Sequence, residues 1–485
     1  AFYHTPRFHW GYEGDFFGLM REATDTLGQD VWNAKAPSGI EFQGKNQFDG
    51  LRLVAGPEVY WGANPKFVVK YDFDLADMDW TFIHSEDVAR LGSAVGGAGQ
   101  TERQSRQTTI YGKKEFSNGW EFELGGIMSA TEKVGEAFDR YDNGQVYLDE
   151  IDREDTLGLK TKLTFPFMGT RTYLSAHYAG LVADGGQHNK VYGVLDPSNL
   201  PYSGLGNKQE YEAGMQMFFG NLMVFPRVMY RDNLVHANPL IEPEVIDGIL
   251  YPGTNPRNRD ADPFAVLENR EARAAEILFT WDPTGATPYY DWDNEWREDA
   301  PFAIDFAGTY TEFPTFTDSY LFFFRPTDSN AAFGEGLPAE DVWTVSSRVT
   351  FNTKNRTKLI FKGVRGFQQS TGNPNGGTRD FWELHGKAVW GGKHTLSGYF
   401  LKDAWGPYDF YRQFNVTFPE QIKLDYSYLL GPGYGAITNG ISEDHATKIG
   451  IRTLYRAFDE NSEAEEEYPG SDYIFSVNVY FIYQF

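Results

Sequence analysis

The stretch Asp472-Tyr473-Ile474-Phe475-Ser476-Val477-Asn478-Val479-Tyr480-Phe481-Ile482-Tyr483-Gln484-Phe485 decides the reading of this chain. Its odd positions, from Tyr473 to Phe485, are all apolar or aromatic. Asp472, Ser476, Asn478 and Gln484 stand between them, with Ile474, Tyr480 and Ile482 as apolar exceptions. A period of two is the period of a β-strand, whose side chains point alternately to opposite faces. One face of this strand is wholly apolar and the other is mixed.

The pattern recurs along the chain. Trp120, Phe122 and Leu124 alternate with Glu121 and Glu123; Leu159, Leu163 and Phe165 with Lys160, Lys162 and Thr164; Tyr211, Ala213 and Met215 with Glu210, Glu212 and Gln216. Trp382, Leu384 and Trp390 alternate with Glu383, His385 and Lys387, Ile422 and Leu424 with Lys423 and Asp425, and Ile449, Ile451 and Tyr455 with Lys448, Arg452 and Arg456. Strands are expected near 51–61, 66–75, 107–116, 120–130, 155–165, 170–180, 208–219, 222–231, 268–281, 301–311, 318–324, 341–352, 357–367, 380–391, 394–403, 409–418, 421–430, 445–457 and 472–485. Residues 5–15 or 288–296 are candidates for one more, and 318–324 reads equally as a loop. Short Asn-, Gly- and Pro-bearing turns, such as Ser117-Asn118-Gly119 and Gly220-Asn221, join many strands. Longer polar stretches near 76–106, 131–154, 181–207, 232–267, 326–340 and 369–379 separate the hairpins.

Composition narrows the class. Of 485 residues, 43 are basic and 68 acidic, for a net charge of −25, which makes nucleic acid a poor partner. Cysteine is absent, so no disulfide frame, thiolate site or Cys-ligated zinc exists. No apolar run is long enough for a spanning helix. Ala1-Phe2-Tyr3 fits a chain whose export signal has been removed and fits a trimmed chain equally.

These observations predict an all-β protein: a transmembrane antiparallel up-and-down β-barrel of about 18 strands (16–20), with short turns at one end and long loops at the other. A soluble β protein is the competing reading. Charges of both signs on one face and Trp, Tyr and Phe near strand ends favour the membrane. The barrel takes residues 1–485 as one domain, with 1–46 as an N-terminal segment able to add a strand and the Pro-rich 232–267 as a cap or constriction. The alternation, closed by the aromatic strand ending at Phe485, resembles bacterial outer-membrane β-barrels as a class. In size the chain resembles sugar porins and polysaccharide exporters such as the alginate exporter. That resemblance implies a bacterial outer-membrane location and contact with membrane lipid and lipopolysaccharide.

A channel's selectivity would then rest on the polar-face residues Glu121, Glu123, Lys160, Lys162, Glu210, Glu212, Arg227, Lys358, Lys362, Glu383, His385, Lys387, Lys423, Asp425, Lys448, Arg452 and Arg456. Acids gather on the early strands and bases on the late ones, and either set could also pair between neighbouring strands. Asp291, Trp292, Asp293, Glu295 and Trp296 combine carboxylates with indoles and are a candidate sugar contact. Asp139, Asp142, Asn143 and Asp149 are weak calcium candidates, off the spacing of a twelve-residue calcium loop. The acidic run Asp459 to Glu467 reads as a solvated loop. No hydrolase, metalloprotease, phosphate-loop or dinucleotide motif is present, so no enzymatic activity is expected. The leading expectation is an outer-membrane channel for small polar solutes, most simply saccharides, through a charged aqueous lumen. An export conduit for a polysaccharide, with a periplasmic partner protein, and a structural sleeve filled by a partner protein are the alternatives.

Overall fold

A computed structural model describes residues 17, 38–58, 65–89, 106–130, 134–142, 145–183, 206–236, 244–246, 249–251, 271–283, 301–315, 320–322, 332–334, 339–353, 357–369, 378–403, 418–431, 447–458 and 470–483. The strands are β1 (Ser38–Gln43), β2 (Leu51–Glu58), β3 (Lys66–Leu75), β4 (Met78–Asp87), β5 (Arg106–Glu115), β6 (Glu121–Ala130), β7 (Ala137–Asp142), β8 (Gln145–Glu150), β9 (Leu157–Phe167) and β10 (Thr170–Ala179). They continue with β11 (Lys208–Phe219), β12 (Leu222–Asp232), β13 (Glu244–Ile246), β14 (Ile249–Tyr251), β15 (Ala272–Trp281), β16 (Phe302–Glu312), β17 (Tyr320–Phe322) and β18 (Ala332–Gly334). The last are β19 (Val342–Thr353), β20 (Thr357–Gln369), β21 (Thr378–Trp390), β22 (His394–Lys402), β23 (Glu420–Leu429), β24 (Thr447–Ala457) and β25 (Tyr473–Tyr483).

Nineteen of these strands form one sheet, and every neighbouring pair is antiparallel. Each strand pairs with the sheet strand before and after it in the chain. The three remaining pairs, β7–β8, β13–β14 and β17–β18, are separate hairpins within long connections. The stretch 318–324 is thus a hairpin arm outside the main sheet, and the expected strand at 409–418 lies outside the described residues. The polar stretch after residue 75 is not simply a loop: β4 runs through it, paired to β3 across the two-residue turn Ala76-Asp77.

The expected barrel is corrected. The sheet is neither closed nor strongly curled. Among the described residues β1 pairs with β2 and β25 with β24, and no pairing joins β1 to β25. Strand number supplies a physical reason. In an antiparallel meander of nineteen strands the first and last run in the same direction. Joining them would need a parallel seam, the less stable kind of pairing, in an otherwise antiparallel sheet. Alternation and turn chemistry specify each strand's neighbours and faces, but not what the two edges do.

Tight turns fix the register at one end of the sheet. Met168 and Gly169 have φ of 50° and 79°, and Gly220 has 64°, the positive values two-residue hairpins require. Ala76 and Asp77, with φ of 58° and 56°, occupy the same left-handed region without glycine's freedom. Replacing them together, Ala76→Asn with Asp77→Gly, is expected to stabilise the folded protein by about 1 kcal/mol. A urea unfolding midpoint in detergent that falls instead of rising would show that the turn is held by something other than its backbone.

Candidate functional site: the charged face of the sheet

Residues opposite one another in a β-ladder share a face, so the register assigns every polar side chain. Lys113 stands opposite Glu123, Glu123 opposite Lys162, Lys162 opposite Ser175, and Ser175 opposite Glu212. Arg227 stands opposite Glu276, Arg348 opposite Lys362, His385 opposite Tyr399, and Asp425 opposite Arg452. Continued strand by strand, this places all seventeen residues from Glu121 to Arg456 named in the sequence reading on one face. The other face carries exposed aromatic and aliphatic side chains, among them Leu159, Phe361, Leu424, Phe475 and Phe481.

The charges on this face pair both along single strands and between strands. Lys113 Nζ lies 2.8 Å from Glu115 and 3.4 Å from Glu121, and Arg171 lies 3.6 Å from Glu121. Lys208 is 3.3 Å from Glu210, and His385 Nε2 is 3.3 Å from Glu383. The most enclosed pair is Arg348–Asp305, where Nε and Nη2 donate to Asp305 Oδ2 at 3.0 and 2.8 Å while Thr280 donates to Oδ1 at 2.8 Å. Charge-assisted bonds of this kind offset the desolvation of a buried ion pair.

A recurring unit organises three of these clusters. Tyr111 stands opposite Gly125 and donates its hydroxyl to Glu123 at 2.7 Å, with Lys162 3.8 Å from the same carboxylate. Tyr173 stands opposite Gly214 and donates to Glu212, which is 3.8 Å from Arg227; Arg227 also bonds Glu276. Tyr480 stands opposite Gly450 and donates to Asp425 at 2.5 Å, while Arg452 Nε donates to Asp425 at 2.6 Å. Glycine is required in two of the units. A Cβ on Gly214 would stand 2.4 Å from the Tyr173 ring, and one on Gly450 2.3 Å from the Tyr480 ring. The open side of each of these two rings is covered by a cation, Lys162 at 5.1 Å from the Tyr173 centroid and Arg452 at 5.4 Å from that of Tyr480. Sequence reasoning missed Tyr111, Tyr173, Tyr480, Glu276, Asp305 and Arg348. A signal for two units was present as Glu-x-Gly in Glu123-Leu124-Gly125 and Glu212-Ala213-Gly214, each beside a strand with a central tyrosine.

The two halves of the face differ. From β2 to β19 acids and bases intermix, so the early strands are not simply acid-rich. From β20 to β24 the described polar-face cations Lys358, Lys362, Lys387, Lys423, Lys448, Arg452 and Arg456 stand against two carboxylates, Glu383 and Asp425.

The expected channel is corrected with the barrel. An open sheet forms no enclosed aqueous lumen, so these residues line a face and not a pore. The reading of a porin that passes saccharides falls with it. Asp291, Trp292, Asp293, Glu295 and Trp296 lie outside the described residues, as does Asn143. Asp139 and Asp142 belong to β7 and Asp149 to β8, where the Asp149 carboxylate accepts the Glu150 N–H at 2.9 Å. Among the described residues no group of three or more His, Asp or Glu side chains could hold a metal ion.

At the end of the sheet carrying most long connections, Ile151, Leu181, Val182 and Val235 form a small apolar core. Asn207 ties it by donating to Val235 O at 2.9 Å and accepting from Val235 N at 2.8 Å. Nearby, Phe17 packs on the charged face against Ile127, Ala179 and Ala183, edge-on to His177. Asp155 joins this region through its carbonyl, which accepts the Val182 N–H at 2.9 Å. Burial first, and then the charges of Asp152, Asp149 and Glu154, push its carboxyl above the usual range, against a backbone hydrogen bond from Asp152.

No family model matches the chain, and no curated protein sequence matches it. Among solved structures, a triple mutant of the Rhodopseudomonas blastica porin is 11% identical with a TM-score of 0.24, covering 86% of this chain and 97% of that one. A porin refined at 1.8 Å is 11% identical with a TM-score of 0.23, covering 80% and 97%. The FpvAI–pyocin S2 complex is 10% identical with a TM-score of 0.27, covering 91% of this chain and 58% of that one. The chain is thus an antiparallel, mostly β protein with a weak structural resemblance to outer-membrane porins and transporters. At these scores the likeness assigns neither a family nor an activity.

Two outcomes are expected. Gly450→Ala should drive the Tyr480 ring off Asp425 and cost about 1–3 kcal/mol. Tyr480→Ala should cost less when Gly450→Ala is already present, so a double-mutant cycle in urea that shows simple additivity would disprove the unit. A raised folded pKa means that Asp155 holds its proton more firmly when folded. Its contribution is full below the unfolded value and is lost as pH rises through the folded one. The protection factor of Val182 N–H, taken against the intrinsic exchange rate at each pH, should therefore fall from mild acid to neutral pH. Asp155→Asn should flatten that dependence.

Proposed function

We propose that the chain is a membrane-associated structural scaffold, placed in a bacterial outer membrane, with its apolar face against lipid and its charged face holding a partner protein. This is the sleeve alternative, without a conducting lumen. The observation that carries it is the inversion of the two faces. Arg348 and Lys70 on the charged face are 0% and 2% exposed, while Phe475, Phe481 and Val479 on the apolar face are 59%, 62% and 74% exposed. An apolar surface this continuous is a lipid or protein interaction surface, since soluble proteins keep such patches small.

The spacing of aromatics on the apolar face favours lipid. Trp382 and Trp390 lie on one strand, eight residues apart, which is about 26 Å at ~3.3 Å per residue. Tyr473 and Phe481 repeat that separation on β25. A bilayer's apolar band on a β-protein is about 25 Å tall, flanked by aromatic girdles. At one end Trp120 stacks on Phe165 at 5.2 Å, Trp281 meets Phe302 at 5.6 Å and Trp390 stacks on His394 at 5.1 Å. At the other, Arg365 lies 4.3 Å from the Trp382 centroid and Tyr455 lies 5.5 Å from Tyr473. Phospholipid and lipopolysaccharide are the lipids such belts would meet. Lipid cannot satisfy the backbone of an edge strand, so the partner also covers the edges at β1 and β25. No catalytic step is assigned to the chain.

The absence of native cysteine makes the test clean. A polarity-sensitive dye on Val479→Cys should blue-shift when the protein is reconstituted into phosphatidylethanolamine–phosphatidylglycerol vesicles. The same dye on Ser397→Cys should not, and the protein should float with the vesicles. A detergent-free, monodisperse protein that stays at the bottom of the gradient would overturn the proposal.

A further inference from the structure

The two ends of the apolar face differ. Toward the turns Met168-Gly169 and Gly220-Asn221 it is dominated by rings such as Phe165, Trp281, Phe302 and Trp390. Ionised side chains gather toward the other end. There Arg106 bonds Glu86, and Arg273 lies 3.0 Å from Glu271 and 3.5 Å from Glu312, so both arginines meet carboxylates of the chain. A third group is built around Trp382. Arg365 stands opposite Trp382 on one side, 4.3 Å from its ring centroid, and Lys402 stands opposite it on the other. Glu420 stands opposite Lys402, and Asp380 precedes Trp382 by two residues on the same face of β21. Arg365, Asp380, Trp382 and Lys402 are exposed. At strand spacings of about 4.8 Å the group spans roughly 15 Å. Asp380 lies ten residues from Trp390, about 33 Å at ~3.3 Å per residue. That is past an apolar band about 25 Å tall and at the height of the lipid heads.

We propose that this group binds the head of phosphatidylethanolamine, its phosphate against Arg365 and Lys402 and its ammonium against Asp380 and Glu420. This rests on the reading of the apolar face as a lipid surface and names the lipid. Charge complementarity carries it. Two cations and two carboxylates in one patch match a head that bears both charges. An anionic head such as that of phosphatidylglycerol would meet Asp380 and Glu420 as like charges, on a chain whose net charge is already −25. A choline head has no N–H to give a carboxylate, whereas a primary ammonium, like that of lysine, has three donors. Guanidinium and ammonium groups both bind phosphate through charge-assisted hydrogen bonds. An indole at this height suits the boundary between hydrocarbon and heads, since its body is apolar and its edge polar.

The test uses the full chain in detergent with phosphatidylethanolamine, phosphatidylcholine and phosphatidylglycerol, each labelled on an acyl chain so that the head is unaltered. Phosphatidylethanolamine is expected to bind about tenfold more tightly than either of the others. Arg365→Gln plus Lys402→Gln should remove that preference. The preference of the unaltered protein keeps the test decisive if the variant misfolds. The proposal falls if the three lipids bind alike, if phosphatidylglycerol binds most tightly, or if a folded variant keeps the preference. Soluble phosphoethanolamine in large excess should leave the labelled lipid bound. Displacement at equal concentration would give the site to a free phosphate compound and overturn the lipid assignment. Vesicle flotation separates the two readings: protein that floats yet prefers no head loses this site and keeps the membrane scaffold.

Discussion

Each long strand of this protein faces two surroundings, and the rest of the structure follows from keeping them apart. A strand's side chains alternate between its two faces, so a one-residue slip in a long strand would put Phe475 or Leu424 among charges and Arg452 or Glu123 among apolar groups. Such a penalty acts on every sheet strand. Register is therefore fixed by face chemistry along the strands and by two-residue turns such as Met168-Gly169 at their ends. The usual order of a soluble sheet, apolar inside and polar outside, is reversed here. The charges must find their partners on the sheet itself.

That requirement explains the tyrosines. A carboxylate beside one lysine retains lone pairs with no donor, and a buried ion pair with incomplete hydrogen bonding is costly. Tyr111, Tyr173 and Tyr480 each bring a neutral donor across to a carboxylate that also faces a cation. A tyrosine can cross to it only where the neighbouring strand has no side chain, which is the place of Gly214 and Gly450. The glycines weaken their own strands, and the rings packed over them restore surface contact that the missing side chains would have made. In the third unit both Asp425 oxygens accept a donor, one from Tyr480 and one from Arg452, whereas Glu123 Oε2 in the first unit accepts none.

Much of this was legible in sequence and part was not, for reasons that differ. The period-two signal located β25, β21 and β6 because large apolar or aromatic residues dominate one face of each. β4 was hidden because its apolar face ends in His84 and Glu86, which bond each other and Arg106, and because Ala76-Asp77 lacks the usual turn residues. The sharing of one face by Glu121, Lys162, Glu212, Arg227, Asp425 and Arg452 was readable from alternation. Their pairing was not, because it depends on which strands are neighbours and on a register no single strand encodes. Closure was the inference furthest from the residues: it concerns two edges separated by nearly the whole chain, and nothing in β1 or β25 read alone states the direction of the other.

Direction is what the nineteen sheet strands among the described residues settle. With β1 and β25 running the same way, the sheet's two edges are not complementary in the antiparallel sense that satisfies every other strand. β25 is also much longer than β1, with eleven residues against six, so even a parallel seam would leave part of β25 without a partner. An apolar face of membrane height and two mismatched edges pull in one direction. Hydrocarbon accepts the face but penalises the edges. Among the described residues the two edge strands therefore leave backbone groups that the sheet's own antiparallel order does not pair.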